Sequence, residues 1–126
     1  MRWVVLIAAL VSACGGEVDE THQGRLEEGD SVHPQDGSFY DAYSFRTQAG
    51  YVLEVELTSE DFDAFLLLNG PDGDQIAQND DREDGDQNAA LSLTLPSSGT
   101  YTVFANSREE GEVGAYSLTI HAKPPR

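Results

Sequence analysis

From Gly24 onward, apolar side chains recur at every second position. In 51–57, Tyr51, Leu53, Val55 and Leu57 fall on one face, and Glu54 and Glu56 on the other. Leu91, Leu93 and Leu95 alternate with Ser92 and Thr94, Tyr101, Val103 and Ala105 with Thr102 and Phe104, and Tyr116, Leu118 and Ile120 with Ser117 and Thr119. A period of two predicts strands with one face in a core and one in water. Phe39, Tyr43 and Phe45 form a similar set around Asp41, and the continuous apolar run 65–68 predicts a more deeply buried strand.

Turn-forming residues punctuate these runs at 48–50, 69–73, 96–99 and 109–114. Helical periodicity never persists for more than two turns. About eight short strands with regular breaks predict an all-β fold, an antiparallel β-sandwich of jelly-roll type. The sandwich is expected over 24–122, with residues 14–23 as a polar tether and 123–126 as a tail. Ala42-Tyr43-Ser44-Phe45 and Ala115-Tyr116-Ser117-Leu118 are alike, but no longer repeat accompanies them.

The first residues have a different character. Arg2 precedes an apolar run from Trp3 to Val11, too short to span a bilayer, and small residues then lead to Cys14. This layout predicts a secretory signal over 1–13. Val11-Ser12-Ala13-Cys14 also resembles the bacterial lipobox, in which the cysteine is acylated and the signal cut before it. Cys14 is the only cysteine, so no internal disulfide forms, and lipidation gives the unpaired thiol a role. Gly15 follows, where an Asp would signal retention in the inner membrane by the rule familiar from enteric bacteria. The expected location is therefore the cell envelope, with the membrane as a partner through the lipid and the outer membrane as the destination.

Charge narrows the partners. The 126 residues carry 23 acids against seven Lys and Arg, a formal net charge of -16. Nucleic acid is excluded as a partner, because a phosphate backbone needs stripes of cations. Five of the acids crowd between Asp80 and Asp86, with Arg82 the sole cation among them. Read as an EF-hand loop from Asp80, this segment puts Arg82 at the third position and Leu91 at the twelfth, where oxygen ligands are required. A less regular calcium site from Asp80, Asp81, Asp84 and Asp86, with Asn88 beside them, stays open next to a solvated turn. Zinc held by His22, His33 and His121 finds no support in their spacing.

Catalytic motifs are missing from the sequence: it has no Gly-x-Ser-x-Gly elbow, no His-Glu-x-x-His and no phosphate-cradling glycine loop. The chain is expected not to be an enzyme. Tyr40 and Phe104 fall on the side of their strands away from the core, a candidate apolar platform for a sugar ring or a protein.

An ordered set of short motifs resembles the bacterial pre-peptidase C-terminal domain family. The set comprises Gly24-Arg25-Leu26, Asp41-Ala42-Tyr43-Ser44-Phe45, Ala49-Gly50, Phe62-Asp63, Asp72-Gly73, Asn79-Asp80-Asp81, Ser98-Gly99-Thr100-Tyr101 and Gly114-Ala115-Tyr116-Ser117-Leu118. The resemblance implies a jelly-roll-like sandwich, usually appended to secreted hydrolases and not itself catalytic. Some members bind collagen or insoluble polysaccharide, and the collagen-binding ones hold calcium. That implies a second calcium candidate at Asp36 and Asp41, with Glu17, Asp19 and Glu20 only loosely comparable to the relatives' glutamates. Here the domain is expected to follow a lipobox rather than an enzyme. The expected function is a non-catalytic, lipid-anchored envelope module that binds a protein or polysaccharide. The alternative is an accessory domain that supports a hydrolase without a ligand of its own.

Overall fold

The computed structural model describes residues 17–32, 37–80 and 88–125. Among these are nine strands and no helix: β1 (Val18–Leu26), β2 (Ser31–Val32), β3 (Phe39–Thr47), β4 (Val52–Thr58), β5 (Ala64–Asn69), β6 (Gln75–Asn79), β7 (Ala89–Thr94), β8 (Gly99–Ser107) and β9 (Gly114–Lys123). One sheet has the order β1-β9-β4-β7 and the other β2-β3-β8-β5-β6, with every neighbouring pair antiparallel. The chain crosses repeatedly between the sheets, so the fold is an antiparallel β-sandwich, as the alternation predicts.

The alternating positions meet between the sheets. Leu53 and Leu57 of β4, Leu66 and Leu68 of β5, and Leu118 and Ile120 of β9 are fully buried. Each contributes roughly 1.5–3 kcal/mol by leaving water. Tyr101 is also fully buried, stacked on Phe45 with ring centroids 6.2 Å apart. Its hydroxyl donates to the Ser97 carbonyl at 2.5 Å and accepts from the Ser97 amide at 3.3 Å, so its polar end is satisfied inside the fold.

Two expectations change. Residues 18–23, read as tether, form most of β1, which pairs along its length with β9 from Val18↔Ala122 to Leu26↔Gly114. The strand escaped the hydrophobic pattern because only Val18 and Leu26 are apolar and buried, with polar residues and Gly24 between them. Leu93 is only half-buried, because β7 ends its sheet and leaves the core open at that side, whereas its β4 partner Leu53 is fully enclosed.

Candidate functional site

At the opposite side of the sandwich, β1 of one sheet faces β3 of the other across an open cleft of about 790 Å³. Gln23, Arg25, Glu27, Asp30, Asp41, Tyr43 and Tyr116 are among its lining residues. The Tyr116 hydroxyl, from β9, donates to Asp41 Oδ2 of β3 at 2.5 Å. A phenol has one proton, so the Tyr43 hydroxyl, 2.5 Å from that of Tyr116, donates to it in turn. The two look-alike tetrapeptides thus bring their tyrosines together and join the two sheets. The His22 ring lies against Tyr43, centroids 4.4 Å apart, and its Nε2 is 2.8 Å from Glu20 Oε1.

Gly24 makes this arrangement possible. A Cβ at that position would lie 2.4 Å from Tyr116 Cζ and its hydroxyl oxygen, so only glycine lets the ring reach between β1 and β3. Gly114 opens β9 with φ +144°, and a Cβ there would strike Asp61, whose carboxylate accepts the Ala115 amide at 2.8 Å.

Burial raises the Asp41 pKa above the usual carboxylate value. The Tyr116 hydrogen bond partly opposes this, and the charges of Asp30 and Glu27 add to it. Burial, followed by the hydrogen bonds to Asp41 and Tyr43, pushes Tyr116 far above an ordinary phenol. Tyr116 therefore stays protonated and acts as a donor, not as a base. The arrangement is a polar clasp with carboxylates at its rim.

Of the candidate calcium carboxylates, Asp41 and Asp80 are among the described residues. Asp41 is engaged by Tyr116, and Asp80 pairs with Arg108 at 3.0 Å. Asp36, Asp81, Asp84 and Asp86, like His33 and Cys14, lie outside the described residues. Both borders of the acidic segment are pinned by asparagines. Asn79 Oδ1 accepts the Ala90 amide at 3.2 Å, and Asn88 Oδ1 accepts the Ser59 amide at 3.0 Å. Asn88, counted among the candidate ligands, thus has a structural use. Among the described residues, no three His, Cys, Asp or Glu gather in a way that could hold a metal.

Tyr40 and Phe104 lie edge to face, ring centroids 5.3 Å apart, on the outer side of the five-stranded sheet. Leu67, opposite Phe104 in register and only 5% exposed, shares that side. The cleft itself was missed from sequence, since nothing in one chain pairs Asp41 with Tyr116. The signal that points to it is the repeated Ala-Tyr-Ser in 42–44 and 115–117.

A comparison with curated protein sequences finds no match. Among solved structures, the chain is similar to the periplasmic inhibitor of g-type lysozyme from Aeromonas hydrophila, at 20% identity, with a TM-score of 0.62 over 86% of this chain and 89% of that one. The corresponding inhibitor from Salmonella Typhimurium is 23% identical, with a TM-score of 0.56 over 83% and 91%. The pre-peptidase C-terminal domain of a Bacillus anthracis collagenase is 14% identical, with a TM-score of 0.59 over 82% and 89%. These likenesses concern the fold. Residues 39–107, more than half of the chain, match the family of that last domain directly, and they contain both the Asp41-to-Phe45 motif and the Ser98-to-Tyr101 motif of the sequence. The chain belongs to the bacterial pre-peptidase C-terminal domain family.

Proposed function

We propose that this chain is a non-catalytic module of the cell envelope, lipid-anchored through Cys14, that binds a protein partner with a basic surface. The observation that carries the reading is charge: 23 acids against seven cations on a small sandwich. Such a surface steers and selects cationic partners while repelling anionic membranes and nucleic acid. Similarity to two periplasmic inhibitors of g-type lysozyme supports a protein rather than a sugar as the ligand, since those proteins share the fold and act on a protein. The early start of β1 adds a constraint. From Cys14 to Val18 the chain spans at most ~14 Å, so an anchored domain sits close to its membrane.

Two measurements test the proposal. The lipidated chain in detergent is titrated against a g-type lysozyme, with insoluble peptidoglycan and collagen as the other ligands. Saturable binding of the enzyme that weakens with salt supports the reading. Retention on a glycan or on collagen, with no protein bound, replaces it. Separately, Cys14→Ser moves the protein from the membrane fraction to the soluble one, and identical partitioning of variant and parent refutes the anchor.

A further inference from the structure

Strand β7 closes one edge of the four-stranded sheet, and its hydrogen-bonding groups can be assigned individually. The Leu95 amide donates to the Tyr51 carbonyl at 2.9 Å, and the Leu95 carbonyl accepts the Gly50 amide at 2.9 Å. Both groups of Leu95 therefore face β4. By the alternation of a strand so do those of Leu93, Leu91 and Ala89, while the N–H and C=O of Ala90, Ser92 and Thr94 face outward. The Ala90 amide confirms this phase, because it bonds to Asn79 Oδ1 and not to β4. At Ser92 and Thr94 the outward groups meet no further strand among the described residues.

Edges of this kind are ordinarily blunted by charge, bulges or brevity. The other three edges follow that rule. β1 carries Asp19, Glu20 and Arg25, β2 has two residues, and the ladder to β6 is broken by an irregularity at Leu68/Asn69. β7 reads Ala-Ala-Leu-Ser-Leu-Thr, with no charge in a chain that is 24% charged. Leu93, and Ala77 on the facing sheet, are partly buried residues packed against the core.

We propose that β7 is a docking edge, to which an extended segment of the partner protein adds as a fifth strand, with lysine or arginine alternating with apolar residues. Main-chain bonds to Ser92 and Thr94 supply the pairing. On the inner side, apolar residues of the added strand cover Leu93 and Ala77. On the outer side its cations lie beside the small Ala90 and Ser92. One strand further in, Glu56 stands opposite Ala90 and Glu54 opposite Ser92. The added strand is about 10 Å from β4, within joint reach of a lysine and a glutamate side chain. The charge of Glu54 and Glu56 selects a basic segment over an acidic one, and this rests on the protein-binding function proposed above.

The test uses the full chain in detergent and the synthetic peptide acetyl-(Lys-Val)3-amide, with acetyl-(Glu-Val)3-amide as its opposite. Amide hydrogen exchange is read residue by residue. The basic peptide is expected to slow exchange at Ser92 and Thr94 by about tenfold or more, and the acidic one to leave it unchanged. Glu54→Gln lowers the affinity by about two- to fivefold, the range for an exposed ion pair. Ser92→Pro removes an outward donor that the β4 ladder does not use, so the domain folds and the protection is lost. If that variant does not fold, Thr94→Pro serves instead. No protection with the basic peptide, equal protection by both peptides, or protection elsewhere overturns the proposal. So does protection that grows with protein concentration alone, which would put a second copy on the edge. The lysozyme titration repeated with Ser92→Pro separates the two claims. Undiminished binding sinks the edge and leaves the function standing, whereas peptide protection without lysozyme binding keeps the edge and removes that partner.

Discussion

The Tyr116 hydroxyl on β9 and the Asp41 carboxylate on β3 meet at 2.5 Å, joining the two sheets at the cleft between β1 and β3. Tyr116 is only 3% exposed, whereas Asp41 is half-buried at the cleft. Removing the tyrosine hydroxyl takes a hydrogen-bond donor from a partly desolvated carboxylate. Tyr116→Phe is therefore expected to cost about 1–3 kcal/mol in urea unfolding with an unchanged slope. A loss below about 0.5 kcal/mol would mean that water replaces the tyrosine freely.

The same carboxylate makes stability depend on pH with an unusual sign. Burial raises the Asp41 pKa in the folded state above its ordinary 3.8, so the folded protein holds this proton more tightly than the unfolded chain does. The resulting stabilisation is complete below 3.8 and is lost as pH rises through the folded value. Asp41→Asn keeps an acceptor for Tyr116 and cannot ionise. The difference in unfolding free energy, variant minus parent, should grow as pH rises from the ordinary aspartate value and then level off. A difference that shrinks over that range would show the hydrogen bond outweighing burial.

Gly24 supplies a steric test of the clasp. An alanine methyl there would sit 2.4 Å from the Tyr116 ring, and the ring is held by Asp41 and Tyr43. Gly24→Ala is expected to cost about 1–3 kcal/mol, the range for overpacking. Combined with Tyr116→Ala the penalty should largely vanish, a non-additivity that a simple backbone effect would not produce.

The sandwich was legible in the sequence because its inner strands alternate and their apolar positions are those the core buries, as with Leu53, Val55 and Leu57. β1 was illegible because an edge strand needs few apolar residues, and here its inward-facing middle carries Glu20, His22 and Gly24. The family motifs were legible as a list but not as an object. The structure shows why several of them occur together: Gly24 makes room for Tyr116, Tyr116 holds Asp41, and Tyr43 caps the chain of hydroxyls. Pairing across 75 residues leaves no local trace.

Leucines that look equivalent in the sequence differ in the fold. Leu118 is fully buried in the middle of its sheet, while Leu93 lies half-buried on the edge strand. Leu118→Ala should cost about 2–5 kcal/mol through lost burial and a residual cavity. Leu93→Ala should cost distinctly less, because the open edge lets water or neighbouring side chains fill the space. Equal losses by thermal or urea unfolding would mean that β7 is covered.

The acidic stretch 80–86 is expected to behave as screened surface charge rather than as a calcium site. Asp80, its one described carboxylate, already pairs with Arg108, and the flanking Asn79 and Asn88 spend their side-chain oxygens on backbone amides. A specific ion bound only by the folded state would add about 2.7 kcal/mol at a hundredfold excess over its dissociation constant. Screening of mutual repulsion also stabilises, but depends on ionic strength and not on which cation provides it. Millimolar calcium and sodium at matched ionic strength should therefore raise the melting temperature alike. Asp80→Asn should change stability by less than about 1 kcal/mol, since it loses an exposed ion pair and relieves some repulsion. A calcium-specific rise that disappears in Asp80→Asn/Asp81→Asn would place a true site in this loop, and one that survives there but disappears in Asp41→Asn would place it at the β1–β3 cleft instead.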